Sequence, residues 1–381
     1  MVRLADLHQN IRQAIEVADV RRSRRLCTSI LTARPDNLET LMLLAEVDLE
    51  SGDHHAAVDG FHRVLEGDPE AYLAYAGLAI ASEELRDPGA AVHYFSRALD
   101  LKPANAEIRR ERDRLCESEY PGRPIPPLLN PFATARSFLE AGFYHEAADA
   151  HRLALQQEPG RLETKLGLAE SLWMLGGTQE PQDICADVLA EAPRSVKASA
   201  LIACVTAEVG DVATGRTMLE PMHDQDPDGR IAGYLVAQTP LAPWATVPVD
   251  LAIEQDLSEA EEAAHGVAAP AWAHWMRHAL WQVLRLVAAP VQEGPNWAIL
   301  EAVDPDIRRR TTPFGPLGRR VRAVDQQAGL ATTHTAPPTS TPSATSATPD
   351  DDGTRAQTDD DATEIILRPW PIPRPRHKKG D

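Results

Sequence analysis

Between residues 38 and 103 the apolar positions run at helical period, stop at a short polar turn, and start again. The stretch LETLMLLAEVDLESGDHHAAVDGFHRVLEGDP is followed by YLAYAGLAIASEELRDPGAAVHYFSRALDLKP. Ala45 matches Ala79, Ala57 matches Ala91, Phe61 matches Phe95, Leu65 matches Leu99 and Pro69 matches Pro103, each pair 34 residues apart. Each copy predicts two short helices folded back on one another across GDHH or RDPG, with proline closing the second.

The register extends in both directions. Upstream, residues 4–37 form a weaker first unit that ends at Pro35 and keeps Leu31, with Asn10 and Ser23 replacing an apolar residue and an alanine. A stacked array needs such an atypical unit at its free end. Downstream, NAEIRRERDRLCES reads as a solvated closing helix, and YPGRPIPPLLNP holds too much proline for anything but a linker. The pattern then resumes. Prolines 159, 193 and 227 are 34 apart, Gly142, Gly176 and Gly210 share a turn position, and Ala135, Ala169 and Ala203 repeat the small packing residue. From Pro103 to Pro159 is one unit of 34 plus 22, which leaves room for an inserted helix and linker between two blocks of three.

In the phasing of FLEAGFYHEAADAHRLALQQEP and AAVHYFSRALDLKP, about 230 residues resemble the tetratricopeptide repeat family. No unit carries that family's early tryptophan, Arg86 stands at the turn glycine of the third, and Pro221 falls deep in the last second helix, where it should kink or shorten it. The expected fold is all-α, an α-solenoid in two blocks of three helix pairs. Residues 1–118 form block 1 with its closing helix, 119–131 the linker, and 132–240 block 2 with a capping helix. A small Trp-rich helical region follows at 241–330, and a disordered low-complexity tail at 331–381.

The resemblance implies that the first helix of each unit lines a groove. Two places before the turn glycine or its stand-in stand Glu16, Glu50, Glu84, Glu140 and Glu208, with Met174 breaking the series. Glu46 and Glu170 lie one turn earlier on the same face. These seven glutamates predict an acidic stripe for a basic or amphipathic protein or peptide partner. The carboxylate clamp of chaperone-binding relatives is not matched, since Met42, Glu46, Ala76, Ile80, Leu166 and Glu170 occupy its places.

Composition bounds the rest. A formal charge of −19 opposes general affinity for nucleic acid or an anionic membrane. Cys27, Cys116, Cys185 and Cys204 are far apart and read as reduced, buried thiols. Neither a signal-peptide core in MVRLADLHQNIRQ nor a membrane-length apolar run is present, so a cytoplasmic location is expected. Past the repeats, His274 and His278 share helical spacing without a third ligand, and no phosphate loop or nucleophile motif occurs. No metal and no cofactor is therefore expected. Arg308, Arg309, Arg310, Arg319, Arg320 and Arg322 surround PFGPLG. In the tail, Thr363 follows six acidic residues in two runs and precedes Ile366 by three places, resembling the phosphothreonine ligands of forkhead-associated domains. The chain ends in the basic, proline-rich RPWPIPRPRHKKGD.

These observations describe a non-catalytic interaction scaffold that holds another protein or a peptide in its groove. Two competing readings are a nucleic-acid regulator using the arginine cluster and an enzyme with an unrecognised site in 241–330. A third contact is internal, the basic tail or the arginine segment lying in the acidic groove.

Overall fold

The computed structural model of the chain describes residues 4–244, 296–305 and 307. The body of the Trp-rich region with His274 and His278, the arginine segment 308–322, and the tail with Thr363 lie outside the described residues. Contacts divide the chain into two units, residues 1–321 with 372–381 and residues 322–371. Every described residue belongs to the first.

Every regular element among the described residues is helical. Block 1 contains α1 (Leu4–Glu16), α2 (Val20–Ala33), α3 (Leu38–Glu50), α4 (His54–Gly67), α5 (Tyr72–Glu84) and α6 (Pro88–Leu101), followed by α7 (Ala106–Glu119). Block 2 contains α8 (Pro131–Glu140), α9 (Tyr144–Gln157), α10 (Leu162–Met174), α11 (Gln179–Glu191), α12 (Val196–Glu208) and α13 (Val212–Leu219). Short helices α14 (Met222–Gln225) and α15 (Gly233–Val236) follow, and α16 (Trp297–Val303) packs on α8. Pro35, Pro69, Pro103, Pro159, Pro193 and Pro227 each stand two places beyond the end of a unit's second helix. In the sixth unit Pro221 lies between α13 and α14 and splits that second helix in two.

Local chemistry sets each hairpin. After the first helix the chain needs one residue of positive φ, supplied by Gly52, Gly142, Gly176 and Gly210. Arg86 and Ala18 adopt the same conformation, with φ of 61° and 59°. Asp19, Asp53, Asp87 and Asp211 then cap the second helices, each side chain accepting from a backbone N–H three residues on. Asn37, Asn105, Asn130 and Ser195 do the same for first helices.

Packing explains the small residues. Ala79, Ala135, Ala169 and Ala203 are fully buried and Ala45 nearly so, which lets paired helices approach. Between units an aromatic ring seats on a glycine of the next first helix. A Cβ on Gly77 would lie 2.3 Å from Phe61 Cζ, and one on Gly167 would lie 2.2 Å from His151 Nε2. Burial, partly offset by donation from His151 Nδ1 to the Ala147 carbonyl, holds that imidazole down at about 4. None of the four cysteines forms a disulfide and all are buried, which pushes the Cys27 and Cys185 thiols up to about 12.

The two blocks do not continue as one row. Helix α6 carries both α7 and α8, and the second block runs back along the first. The turns that follow second helices meet in reverse order. Arg161 pairs with Asp100 at 2.9 Å, Lys197 with Glu70 at 2.5 Å, Arg194 with Asp36 at 2.7 Å, and Arg34 with Asp224 at 2.9 Å. The first unit therefore ends beside the second helix of the sixth.

Candidate functional site

Glu16, Glu50, Glu84, Glu140, Met174 and Glu208 are the last residues of α1, α3, α5, α8, α10 and α12. A carboxylate there faces the negative end of its own helix, a cost of roughly 0.3–1 kcal/mol at an exposed position. The structure treats the members of the series differently. Glu140 accepts from Lys102 at 2.9 Å and Arg136 at 3.1 Å. Glu170 is buried against Lys197 at 2.6 Å, and Glu208 accepts from Trp173 Nε1 at 3.2 Å. Glu84 is exposed at the end of α5. Glu16 and Glu46 come together at one cavity, and Glu50 lies one turn beyond Glu46 on α3.

The seam between the blocks is a buried charge network. Lys197, 1% exposed, lies between Glu70 and Glu170, and Arg136 pairs with Glu70 and Glu140. Burial alone would raise the Glu70 carboxyl, but Lys197 and Arg136 hold it below its ordinary value. A second cluster joins Arg161 to Asp100 and Glu163, and Arg97 to Glu163 at 2.6 Å. These pairs hold the blocks together and leave Glu140 and Glu170 neutralised within the chain.

A cavity of about 380 Å³ lies where the first units meet the end of block 2. Helices α1 and α3 supply Arg12, Glu16, Leu38, Glu39, Met42, Leu43 and Glu46. Across from them stand Val64, Asp68, Ala71 and Leu73 around the α4–α5 turn, and residues 225–228, 230 and 231. Its wall combines six carboxylate side chains with a substantial apolar lining.

The charges in this cavity are unevenly matched. Arg12 and Arg230 both bind Glu39, Arg230 at 2.8 Å, and His8 Nδ1 lies 3.1 Å from the same carboxylate. Burial pushes Glu39 up, and these cationic and hydrogen-bonding neighbours overturn it to about 2. Glu46 has no hydrogen bond or ion pair among the described residues, and burial raises its carboxyl to about 7. Burial, reinforced by Glu70, raises Asp68 likewise to about 7, against one hydrogen bond from the Glu70 N–H. Gln225 contributes a buried Oε1 that accepts no hydrogen bond. No group of three or more His, Cys, Asp or Glu side chains among the described residues is placed to hold a metal ion. No described helix is long and apolar enough to cross a membrane.

The periodic glutamates thus supply two of the six carboxylates of this cavity, Glu16 and Glu46. Glu39, Asp68, Asp228, Arg12 and Arg230 were not recognisable beforehand. Asp68 sits at an inter-unit turn and Asp228 and Arg230 beyond the last repeat, joined to the cavity only by the fold-back.

Antiparallel helix pairs on a 34-residue step, with glycine or its stand-in at the hairpin and proline beyond it, make this chain an all-α solenoid, the fold that its resemblance to tetratricopeptide repeats implies. No family model matches the chain. It is 27% identical over 223 residues to cellulose synthase 2 operon protein C of Komagataeibacter xylinus, covering 52% of this chain and 17% of that protein. The chain thus spans less than a fifth of that relative's length. Among solved structures it is similar to a tetratricopeptide repeat protein from Parabacteroides merdae, at 15% identity, TM-score 0.27, and coverage of 57% of this chain and 76% of that one. It is similar also to Naa15/Naa10 bound to HypK-THB, at 16% identity, TM-score 0.28, and coverage of 79% and 39%. The TPR2AB domain of yeast Sti1 in complex with pHSP90 gives 15% identity, TM-score 0.25, and coverage of 61% and 94%. At such TM-scores the superpositions add nothing to what the helix pairs themselves establish.

Proposed function

We propose that this chain is a protein-interaction scaffold that holds a basic or amphipathic segment of another protein against the first helices of block 1. One observation carries the reading. Glu16, Glu39 and Glu46 of α1 and α3 converge with apolar side chains on a cavity in which the lining arginines, Arg12 and Arg230, are already engaged by Glu39. A solenoid unit buries its face only against its neighbours, so its remaining surface is available to a guest chain. Mechanism on this reading is reversible binding, with apolar area supplying affinity and carboxylates setting register and rate.

The test is site-specific photo-crosslinking in native extract, with the photoreactive residue at Met42 in the cavity or at Asp149 on exposed α9. A band specific to Met42 whose purified protein then binds directly, with a salt slope reduced by Glu50→Lys, supports the scaffold. Identical adducts from both positions, or none, reject it.

A further inference from the structure

We propose that the cavity between the first units and the end of block 2 is a recognition pocket for the guanidinium of an arginine side chain. This deepens the scaffold reading and rests on it for the source of that side chain, a segment of the partner protein.

Among the described residues neither Glu46 nor Asp68 is in an ion pair, and the Asp68 carboxylate accepts from the Glu70 N–H. These two carboxylates come from two elements, α3 and the α4–α5 turn. Carboxylate oxygens short of donors favour a ligand rich in N–H groups. Arg12 and Arg230, the cations among the lining residues, are spent on Glu39. The occupant must therefore bring both donors and positive charge.

Its body must also be apolar in part. Leu38, Met42, Leu43, Val64, Leu73 and Ile231 line the space, which suits an alkyl stem better than a hydrated metal ion. About 380 Å³ lies near the small end of the roughly 300–1,000 Å³ range of ligand pockets, room for a side chain and its flanking backbone rather than a helix. A planar guanidinium with five donors serves two carboxylates on separate elements better than a compact ammonium does. Arg230, 54% exposed, and Arg12, 34% exposed, stand on the same lining and repel a second cation on the occupant. That arrangement separates a polypeptide's arginine from a free diamine-like guanidine.

The experiment uses the full chain and three probes in calorimetric titration: Nα-acetylarginine N-methylamide, its neutral citrulline isostere, and agmatine. The expected result is saturable binding of the capped arginine, at least tenfold weaker binding of citrulline, and agmatine weaker than the capped arginine. Glu46→Gln should weaken the arginine probe at least tenfold, while Asp149→Asn, on the exposed face of α9, leaves it unchanged. On the unaltered protein, affinity for capped arginine should fall as the pH drops from about 8 to about 5, because Glu46 and Asp68 take up protons in that range. Equal binding of arginine and citrulline, no saturation, or a flat pH dependence overturns the pocket. Agmatine binding tighter than the capped residue overturns its assignment to a protein segment. Arginine binding without any Met42-specific crosslink leaves the pocket standing and removes the scaffold.

Discussion

Lys197, in the first turn of α12, donates to Glu70 Oε2 at 2.5 Å across a sequence separation of 127, and to Glu170 Oε2 at 2.6 Å on α10. With the lysine 1% exposed, removing it takes the ion-pair partner from Glu170 and leaves Glu70 with Arg136, the two carboxylates being 11% and 12% exposed. Lys197→Met is expected to cost roughly 3–5 kcal/mol in urea unfolding. Adding Glu70→Gln and Glu170→Gln should recover most of that loss, since the cost lies in the uncompensated charges. A triple variant no more stable than the single one would show that the lysine's packing, and not its charge, holds the seam.

Glu46 gives stability a pH dependence of known direction. Its folded value of about 7 lies above the ordinary 4.5, so the folded chain holds that proton more tightly than the unfolded one. Stability from this group is greatest below pH 4.5, declines as the pH rises toward 7, and is flat beyond. Glu46→Gln should flatten that decline and raise stability at pH 8 by about 1–2 kcal/mol after allowance for partial solvent access, with little change at pH 4. Parallel unfolding curves for both proteins at the two pH values are the check.

Arg86 occupies the left-handed position that glycine fills in four other hairpins. Arg86→Gly should stabilise the protein by about 1 kcal/mol, because the Cβ penalty there exceeds glycine's extra freedom in the unfolded chain. The urea midpoint measures it. Destabilisation would mean that the arginine side chain contributes more than its backbone costs.

Gly77 and Phe61 bring two units into contact. A Cβ at Gly77 would sit 2.3 Å from Phe61 Cζ, so Gly77→Ala should cost roughly 1–3 kcal/mol despite alanine's better helix propensity. Pairing it with Phe61→Leu should cost less than the two single changes added together. Strict additivity in that double-mutant cycle would argue that the ring and the glycine are not in direct competition for space.

Much of the fold was legible because its determinants are local. Gly52, Gly142, Gly176 and Gly210 mark the hairpins, and the spacing of Ala45 and Ala79 from Pro69 and Pro103 marks helix pairs without any long-range information. The direction of the second block was not legible. The proline-rich linker shows that a helix stops, but nothing in it states that Arg161 will find Asp100 or Lys197 will find Glu70. Lys197 also takes up Glu170, and Lys102 of block 1 takes up Glu140, both of which sequence spacing alone grouped with Glu46. Periodicity locates a side chain on its own helix; it carries no information about what a distant helix presents to it.

The reverse course of the second block bears on how such a chain can change over evolutionary time. An open row tolerates gain or loss of a whole repeat, because each interior unit meets only its two neighbours. Here removal of residues 38–71 would delete Glu39 and Glu70 together and leave Arg230 and Lys197 facing the wrong turns. Loss of one of the six described units would thus break contacts in the other block as well as with its neighbours.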